Sequence, residues 1–312
     1  MARCFVTRGL PGGALDRLRA EHEVELWPEP RPVPTDRLAE AAREADALLL
    51  MLSDRLDADL IAAAPRLRAV ANYAVGTDNV DLAAATARGI PVGNTPDVLT
   101  ETTADLAFAL MLAAARRLVD AERSVRAGEW RTWEPEGFLG YDMHGGVLGV
   151  VGFGRIGQAV ARRAGGFGME VLHTSRSGGV ALDELLARSD FVSLHAPLTD
   201  DTRGLIGARE LALMKPTAVL VNTARGELVD PGALERALRD GTIAAAALDV
   251  TAPEPLPPDH PLLAAPNLTV LPHIGSASHA TREAMADMAV DNLLAALRGE
   301  RMAHCANPEV YG

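Results

Sequence analysis

Short apolar runs alternate with longer amphipathic stretches along most of the chain. The runs "ALLLML" (47–52), "RAVANYAV" (68–75), "GIPVGN" (89–94), "GVLGVVG" (146–152), "EVLHTS" (170–175), "FVSLHAP" (191–197), "AVLVNTA" (218–224), "AAAALDV" (244–250) and "LTVLPHI" (268–274) predict strands. Most are apolar on both faces, the pattern of parallel sheets covered by helices. Between them the periodicity predicts helices over Arg155–Gly165, Pro231–Asp240, a long Thr100–Ala127 and a closing one from about Ser278 to Arg298. Thr100 and Glu101 stand in the first turn of the long one, where an acidic group suits the positive helix end. Repeated β–helix–β units predict an α/β fold of doubly wound parallel sheets. With 312 residues, two domains are expected rather than one. The proline-rich "LWPEPRPVP" (26–34) predicts a loop.

Composition narrows the function classes. Hydrophobic residues make up 48% of the chain, ample for packed cores, but no apolar run reaches the length of a membrane span; "LAFALMLAAA" stops at Arg116 and Arg117. The start, "MARCFVTRGL", lacks the apolar stretch of a secretory signal. Cys4 and Cys305 lie near opposite ends without metal-like spacing, so neither a disulfide nor a metal site is expected, and a reducing cytoplasm is the default. A net charge of −12 argues against a nucleic-acid partner, since phosphate backbones demand a basic face.

"GVLGVVGFGRIGQAVARRAGGFG" sets Gly152, Gly154 and Gly157 in GxGxxG spacing between an apolar strand and an amphipathic helix. The first glycine permits the tight turn, the second lets backbone approach a pyrophosphate, and the third allows helix to pack on strand. Amides at the helix start then face the diphosphate. The next strand commonly ends in a carboxylate that bonds the ribose 2′-hydroxyl of NAD. Here it ends in Ser175, Arg176 and Ser177, which would not repel a 2′-phosphate and could pair with one. NADPH is therefore the expected cofactor, with NADH possible.

Three later strands each finish at a polar residue: Arg225 in "VLVNTARGELVD", Glu254 in "LDVTAPEPLPPDHPLL" and His273 in "VLPHIGSASH". Carboxyl ends of strands are where α/β sheets bind ligands. Singly these residues have ordinary explanations, as a capping arginine, a solvated glutamate and a satisfied histidine. The five prolines around Glu254 restrict the loop that carries it. Of the remaining histidines, His22, His144 and His304 are expected to be exposed, and His195 in "SLHAPLT" to line the cofactor cleft.

The ordered motifs "NYAVGTDNVD", "GFGRIGQAVARR", "LMKPTAVLVNTARGELVD", "LDVTAPEPLPPDHPLL" and "LPHIGSASHATR" span essentially the whole chain. Together they resemble the D-isomer-specific 2-hydroxyacid dehydrogenases. "LLLMLSDRLD", "GNTPDVLTETTADLAFALML", "GEWRTWEP" and "TSRS" are most similar to the glyoxylate/hydroxypyruvate reductases of that family. The resemblance implies a catalytic trio of Arg225, Glu254 and His273. Arginine can clamp a substrate carboxylate through two parallel N–H bonds. Histidine exchanges protons near neutrality and serves as acid in reduction and base in oxidation. A carboxylate on the far imidazole nitrogen orients the ring and favours its protonated form.

By the same resemblance, Leu52, Val75, Gly76, Ser276 and Trp133 contact substrate, Trp133 by reaching across a homodimer whose arm runs from Leu118 to Gly146. Thr103, Arg155, Ile156, His195, Pro197, Thr202, Thr223, Asp249 and Gly275 join the glycine loop, Ser175–Ser177 and His273 as cofactor contacts. The implied layout is a Rossmann-type cofactor domain (95–284) inserted in a flavodoxin-like substrate domain (1–94 and 285–312), closing by a hinge to exclude water. The substrates implied are small 2-keto acids, glyoxylate and hydroxypyruvate foremost. Dehydrogenases of D-lactate, 3-phosphoglycerate, formate or phosphite, and a non-catalytic dinucleotide-sensing co-repressor, share the scaffold.

Overall fold

A computed structural model describes residues 1–312. The chain forms two compact units: Met1–Leu99 together with Ser276–Gly312, and Thr100–Gly275.

The first unit is a five-stranded, wholly parallel sheet. Its strands are β1 (Arg3–Val6), β2 (Glu23–Leu26), β3 (Ala47–Leu50), β4 (Ala69–Asn72) and β5 (Val92–Gly93), in the order β2-β1-β3-β4-β5. That is the flavodoxin-like order. Helices α1 (Ala14–Glu21), α2 (Thr35–Glu44), α3 (Ala58–Ala62) and α4 (Leu82–Ala87) connect the strands, and the C-terminal helix (His279–Leu297) packs on β4 and α1. β3 and β4 are buried at every residue, which is why both read as continuous apolar runs. β1 and β2 fall outside the predicted strands. β2, "EVEL", alternates exposed glutamates with half-buried Val24 and Leu26 at the sheet edge, where charges discourage pairing with another chain.

Segments 95–99 and 276–284, expected in the cofactor domain, group with this first unit. The reason is local: the Thr95 amide donates to the Ala74 carbonyl at 2.9 Å, and the Tyr73 hydroxyl donates to the Arg282 carbonyl at 2.6 Å.

The second unit carries a seven-stranded sheet. β6 (Val147–Val151), β7 (Glu170–Ser175), β8 (Gly178–Gly179), β9 (Phe191–Leu194), β10 (Val219–Asn222), β11 (Ala245–Leu248) and β12 (Leu268–Val270) run in the order β12-β11-β10-β9-β6-β7-β8. All pairs are parallel except β7–β8, where a two-residue stub takes the third-strand position of a Rossmann half. Successive residues of the central strands feed different cores. Phe191, Val219, Val221 and Ala247 pack on one side with α5 (Thr100–Ala115) and α7 (Arg155–Ala164). Val192, Leu194, Leu220 and Leu248 pack on the other with α8 (Leu182–Arg188), α9 (Ala208–Leu213) and α10 (Pro231–Arg239). Each valine, leucine or phenylalanine among them contributes about 1.5–3 kcal/mol by leaving water.

The predicted helix Thr100–Ala127 is two helices. α5 ends at Ala115, Arg117 turns into the left-handed region at φ 53°, and α6 runs Leu118–Arg126. A tertiary contact ends α5: the Tyr141 amide takes the Ala115 carbonyl at 2.9 Å, and Gly140 packs so closely there that a Cβ would run into that oxygen. No helix is long and apolar enough to cross a membrane.

Candidate active site

Because the strands from β6 to β12, β8 apart, are parallel, their carboxyl ends share one edge of the second unit's sheet. The glycine loop leaves β6 there, His195 follows β9, Arg225 follows β10, Asp249 follows β11 and His273 follows β12. Arg225, Glu254 and His273, 48 positions apart from first to last, meet at this edge. His273 Nδ1 lies 2.7 Å from Glu254 Oε1, and both side chains keep some contact with solvent, 24% and 32% exposed.

Burial works to raise the Glu254 carboxyl. The hydrogen bond and charge of His273, the Thr251 amide at 3.3 Å and the nearby Arg225 guanidinium outweigh it and hold the carboxyl below its usual range. Glu254 is therefore ionised at neutral pH, and its loop is pinned by the Thr251 hydroxyl donating to the Pro253 carbonyl at 2.8 Å. The peptide bonds before Pro253 and Pro255 are cis.

The backbone holds the other two members. Asn222, fully buried at the end of β10, accepts from the Ala224 amide at 3.0 Å and donates to the Arg225 carbonyl at 2.8 Å, an Asx turn that fixes the arginine's approach. His273 adopts φ 55°, a left-handed conformation that costs a non-glycine residue about 1–2 kcal/mol and recurs at functional sites. An imidazole bonded on Nδ1 to an ionised carboxylate leaves Nε2 to exchange a proton.

The glycine loop behaves as its spacing predicts. Gly152 sits at φ 91°, and a Cβ there would strike the backbone of His195 and Ala196. A Cβ on Gly157 would strike the Gly152 carbonyl, whereas Gly154 has open space beside it. α7 starts at Arg155 with Gly154 as its N-cap, no side-chain cap and no acidic residue in its first turn. Its first amides are thus available to an anion. Ile156 packs on the α5-side core. The Thr223 hydroxyl is buried and bonds to nothing in the protein. Open backbone, an uncapped helix start and an orphaned donor on one sheet edge fit a dinucleotide.

Around this loop, His195 Nε2 pairs with the Ser193 hydroxyl at 2.8 Å, and burial pushes the imidazole down to about 4, so it is neutral. Thr202 Oγ1 donates to the Pro197 carbonyl at 2.7 Å and closes that loop. Thr103 is buried, and its methyl would lie 3.4 Å from a Cβ on Gly275. At the end of β7 the Ser175 and Ser177 hydroxyls are 3.0 Å apart, and Arg176 is exposed in the turn between them with no carboxylate partner. The spacing gave no sign of His173, whose ring stacks on Phe153 of the glycine loop at 3.9 Å between centroids.

Leu52, Val75, Gly76 and Ser276 belong to the first unit, on the loops after β3 and β4 and at the start of its second segment. Trp133 is 79% exposed on the segment after α6, alongside exposed Trp130 and Leu139. Two histidines depart from expectation. His22 is half-buried because its Nδ1 accepts from the Ala2 amide at 3.4 Å, and His304 is half-buried because its backbone bridges Asn94 and Asn292. Both cysteines are thiols, and burial pushes Cys4 up to about 12.

Comparison with known proteins agrees with this geometry. Residues 108–275 match the family described as D-isomer specific 2-hydroxyacid dehydrogenase, NAD binding domain. A glyoxylate reductase from Korarchaeum cryptofilum is 51% identical over 320 residues, covering 99% of this chain and 96% of that protein. A Thermus thermophilus crystal structure aligns with a TM-score of 0.93 at 50% identity, covering 97% of this chain and 99% of that one. An NADPH-dependent glyoxylate/hydroxypyruvate reductase from Sinorhizobium meliloti, in complex with NADP and malonate, aligns at 0.84 with 36% identity over 99% and 98% of the two chains. The chain belongs to the D-isomer-specific 2-hydroxyacid dehydrogenases, oxidoreductases that use a nicotinamide dinucleotide.

Proposed function

We propose that this chain is an NADPH-preferring reductase of small 2-keto acids, forming glycolate from glyoxylate and D-glycerate from hydroxypyruvate. The observation that carries the reading is the 2.7 Å contact between His273 Nδ1 and an ionised Glu254, with Arg225 within electrostatic reach, on the sheet edge that bears the glycine loop. The names of the Korarchaeum and Sinorhizobium relatives support the choice of substrates.

The reduced nicotinamide, when bound, supplies the hydride. Arg225 binds the substrate carboxylate through two parallel N–H bonds and draws electron density from the adjacent carbonyl. His273 Nε2 gives its proton to the keto oxygen, so the carbonyl becomes an alcohol, and in the reverse direction it takes that proton back. Glu254 keeps the ring oriented and its charge balanced when protonated. The family resemblance adds Leu52, Val75, Gly76 and Ser276, on the first unit, as substrate contacts.

NADPH preference rests on the end of β7. A 2′-phosphate would meet two serine hydroxyls and an unpaired guanidinium there, and no carboxylate. Exposed Leu118, Val125, Trp130, Trp133 and Leu139 form an apolar arm suited to self-association, with Trp133 serving the partner's site in a homodimer. A net charge of −12 speaks against nucleic acid, and two free thiols suit a cytoplasmic setting.

A substrate panel tests the function. Glyoxylate, hydroxypyruvate, pyruvate and 3-phosphohydroxypyruvate are each assayed with NADPH and with NADH. The highest kcat/KM should fall on glyoxylate or hydroxypyruvate with NADPH. Cofactor binding without turnover would instead mark a dinucleotide sensor.

A further inference from the structure

His195 and His273 are held by hydrogen bonds, whereas the ring of His173, near the end of β7, makes none within the protein. Its contact is a face. The imidazole stacks on Phe153 with centroids 3.9 Å apart and planes inclined by 22°. Phe153 stands between Gly152 and Gly154, in the middle of the glycine loop. Flanking glycines give such a loop more backbone freedom than other residues would. Three contacts take that freedom away. They are the stack, the Gly152 amide donating to the Thr174 carbonyl at 2.9 Å, and Gln158 Nε2 donating to the Phe153 carbonyl at 3.0 Å. Two of the three come from adjacent residues of β7.

The same histidine meets the turn that follows its strand. Its carbonyl accepts from the Val180 amide at 2.9 Å, closing the hairpin that carries Ser175, Arg176 and Ser177. Gly179, at φ 107°, passes so close that a Cβ there would strike that carbonyl and lie 3.0 Å from Cδ2 of the imidazole. Within the hairpin the Ser175 hydroxyl donates to the Gly178 carbonyl at 3.1 Å. The ring of His173 therefore has its face on the glycine loop and its edge on the hairpin, and neither can shift without displacing it.

We propose that His173 is a positioning residue for the dinucleotide. By holding Phe153 on one side and Gly179 on the other, its ring braces the diphosphate loop and the turn for the 2′-phosphate into one preformed surface. The proposal rests on the reading of the chain as an NADPH-preferring reductase and adds what keeps both loops in shape before the cofactor arrives. Donors already in place bind an anion with a smaller ordering cost than donors on a mobile loop. Stacking needs only a flat ring, so phenylalanine should serve as well as histidine there.

The test measures Kd for NADPH and for NADH, Tm without cofactor, and kcat for glyoxylate at saturating NADPH, all on the full chain. His173→Ala should weaken NADPH about tenfold and NADH only about threefold, because NADH lacks the phosphate that uses the hairpin. Its kcat should stay within about threefold of wild type and its Tm within about 4 °C. His173→Phe should bind both cofactors within about twofold of wild type. Phe153→Ala, added to His173→Ala, should weaken NADH less than about twofold further, since both remove one contact. Unchanged affinities in His173→Ala would overturn the proposal. So would a His173→Phe variant as weak as His173→Ala, which would give the role to the imidazole nitrogens. An equal loss for NADPH and NADH would remove the hairpin from the brace. A kcat that falls as far as the affinity would mark a merely structural role and also overturn it. The expected pattern of affinities in a protein that turns over no 2-keto acid would uphold the brace and sink the reductase reading.

Discussion

Asp249 holds His273 in place: its backbone carbonyl accepts from the His273 amide at 2.9 Å. Its buried carboxylate accepts from the next two amides, Ile274 and Gly275, each at 2.7 Å. Three hydrogen bonds to one residue thus enforce the left-handed turn at His273, a conformation the histidine would not adopt unaided. Asp249→Asn keeps the shape but turns an N–H toward one of those amides. Stability should fall by roughly 1–3 kcal/mol in urea unfolding, the cost of unsatisfied buried donors. kcat measured on the folded fraction should fall as well, because the imidazole loses its aim.

Glu254 sets the pH dependence. Its carboxyl lies below the ordinary value of 4.5, burial being outweighed by His273, Thr251 and Arg225. A depressed carboxyl contributes stability that is present above the ordinary value and lost as pH falls through the lowered one. The pair is therefore intact at neutral pH. Glu254→Gln removes the charge that favours a protonated imidazole, which reduction requires. The alkaline limb of kcat/KM for reduction should move to lower pH. An unmoved limb would refute the pairing.

Two glycines of the cofactor loop should respond differently to one methyl group. Gly154 has extended backbone and open space around a Cβ, so Gly154→Ala should keep its Tm within about 2 °C. It should still weaken NADPH binding, because the methyl occupies the approach of the pyrophosphate. In Gly157→Ala the methyl meets the Gly152 carbonyl, and the variant should lose stability as well as affinity. Thermal unfolding with and without NADPH separates the two.

Legibility in the sequence followed where the physics was local. β3, β4, β9, β10 and β11, buried on both faces, read as apolar runs, and the glycine spacing matched the close approaches found at Gly152 and Gly157. "EVEL" hid an edge strand because its glutamates alternate with a short apolar set. The break between α5 and α6 was invisible because neither Gly nor Pro marks it; a distant segment, Gly140–Tyr141, imposes it. Arg225, Glu254 and His273 stood out at strand ends, while the groups that hold them, Asn222 and Asp249, depend on loop geometry that spacing does not encode.

Arg176 carries the cofactor prediction. Its guanidinium is exposed and unpaired, so removing it should leave folding and NADH use nearly unchanged. Arg176→Ala should lower kcat/KM for NADPH about tenfold, consistent with one charge-assisted contact in partly solvated surroundings. A wild-type protein that favours NADH tenfold would contradict the assignment.

The most direct test of the catalytic assignment is kcat for glyoxylate with NADPH in His273→Ala beside wild type, both shown folded by thermal unfolding. Loss of the proton donor should lower kcat by about 100- to 10,000-fold with NADPH affinity retained. A variant that turns over within about threefold of wild type would contradict it, because the proton would then have another source.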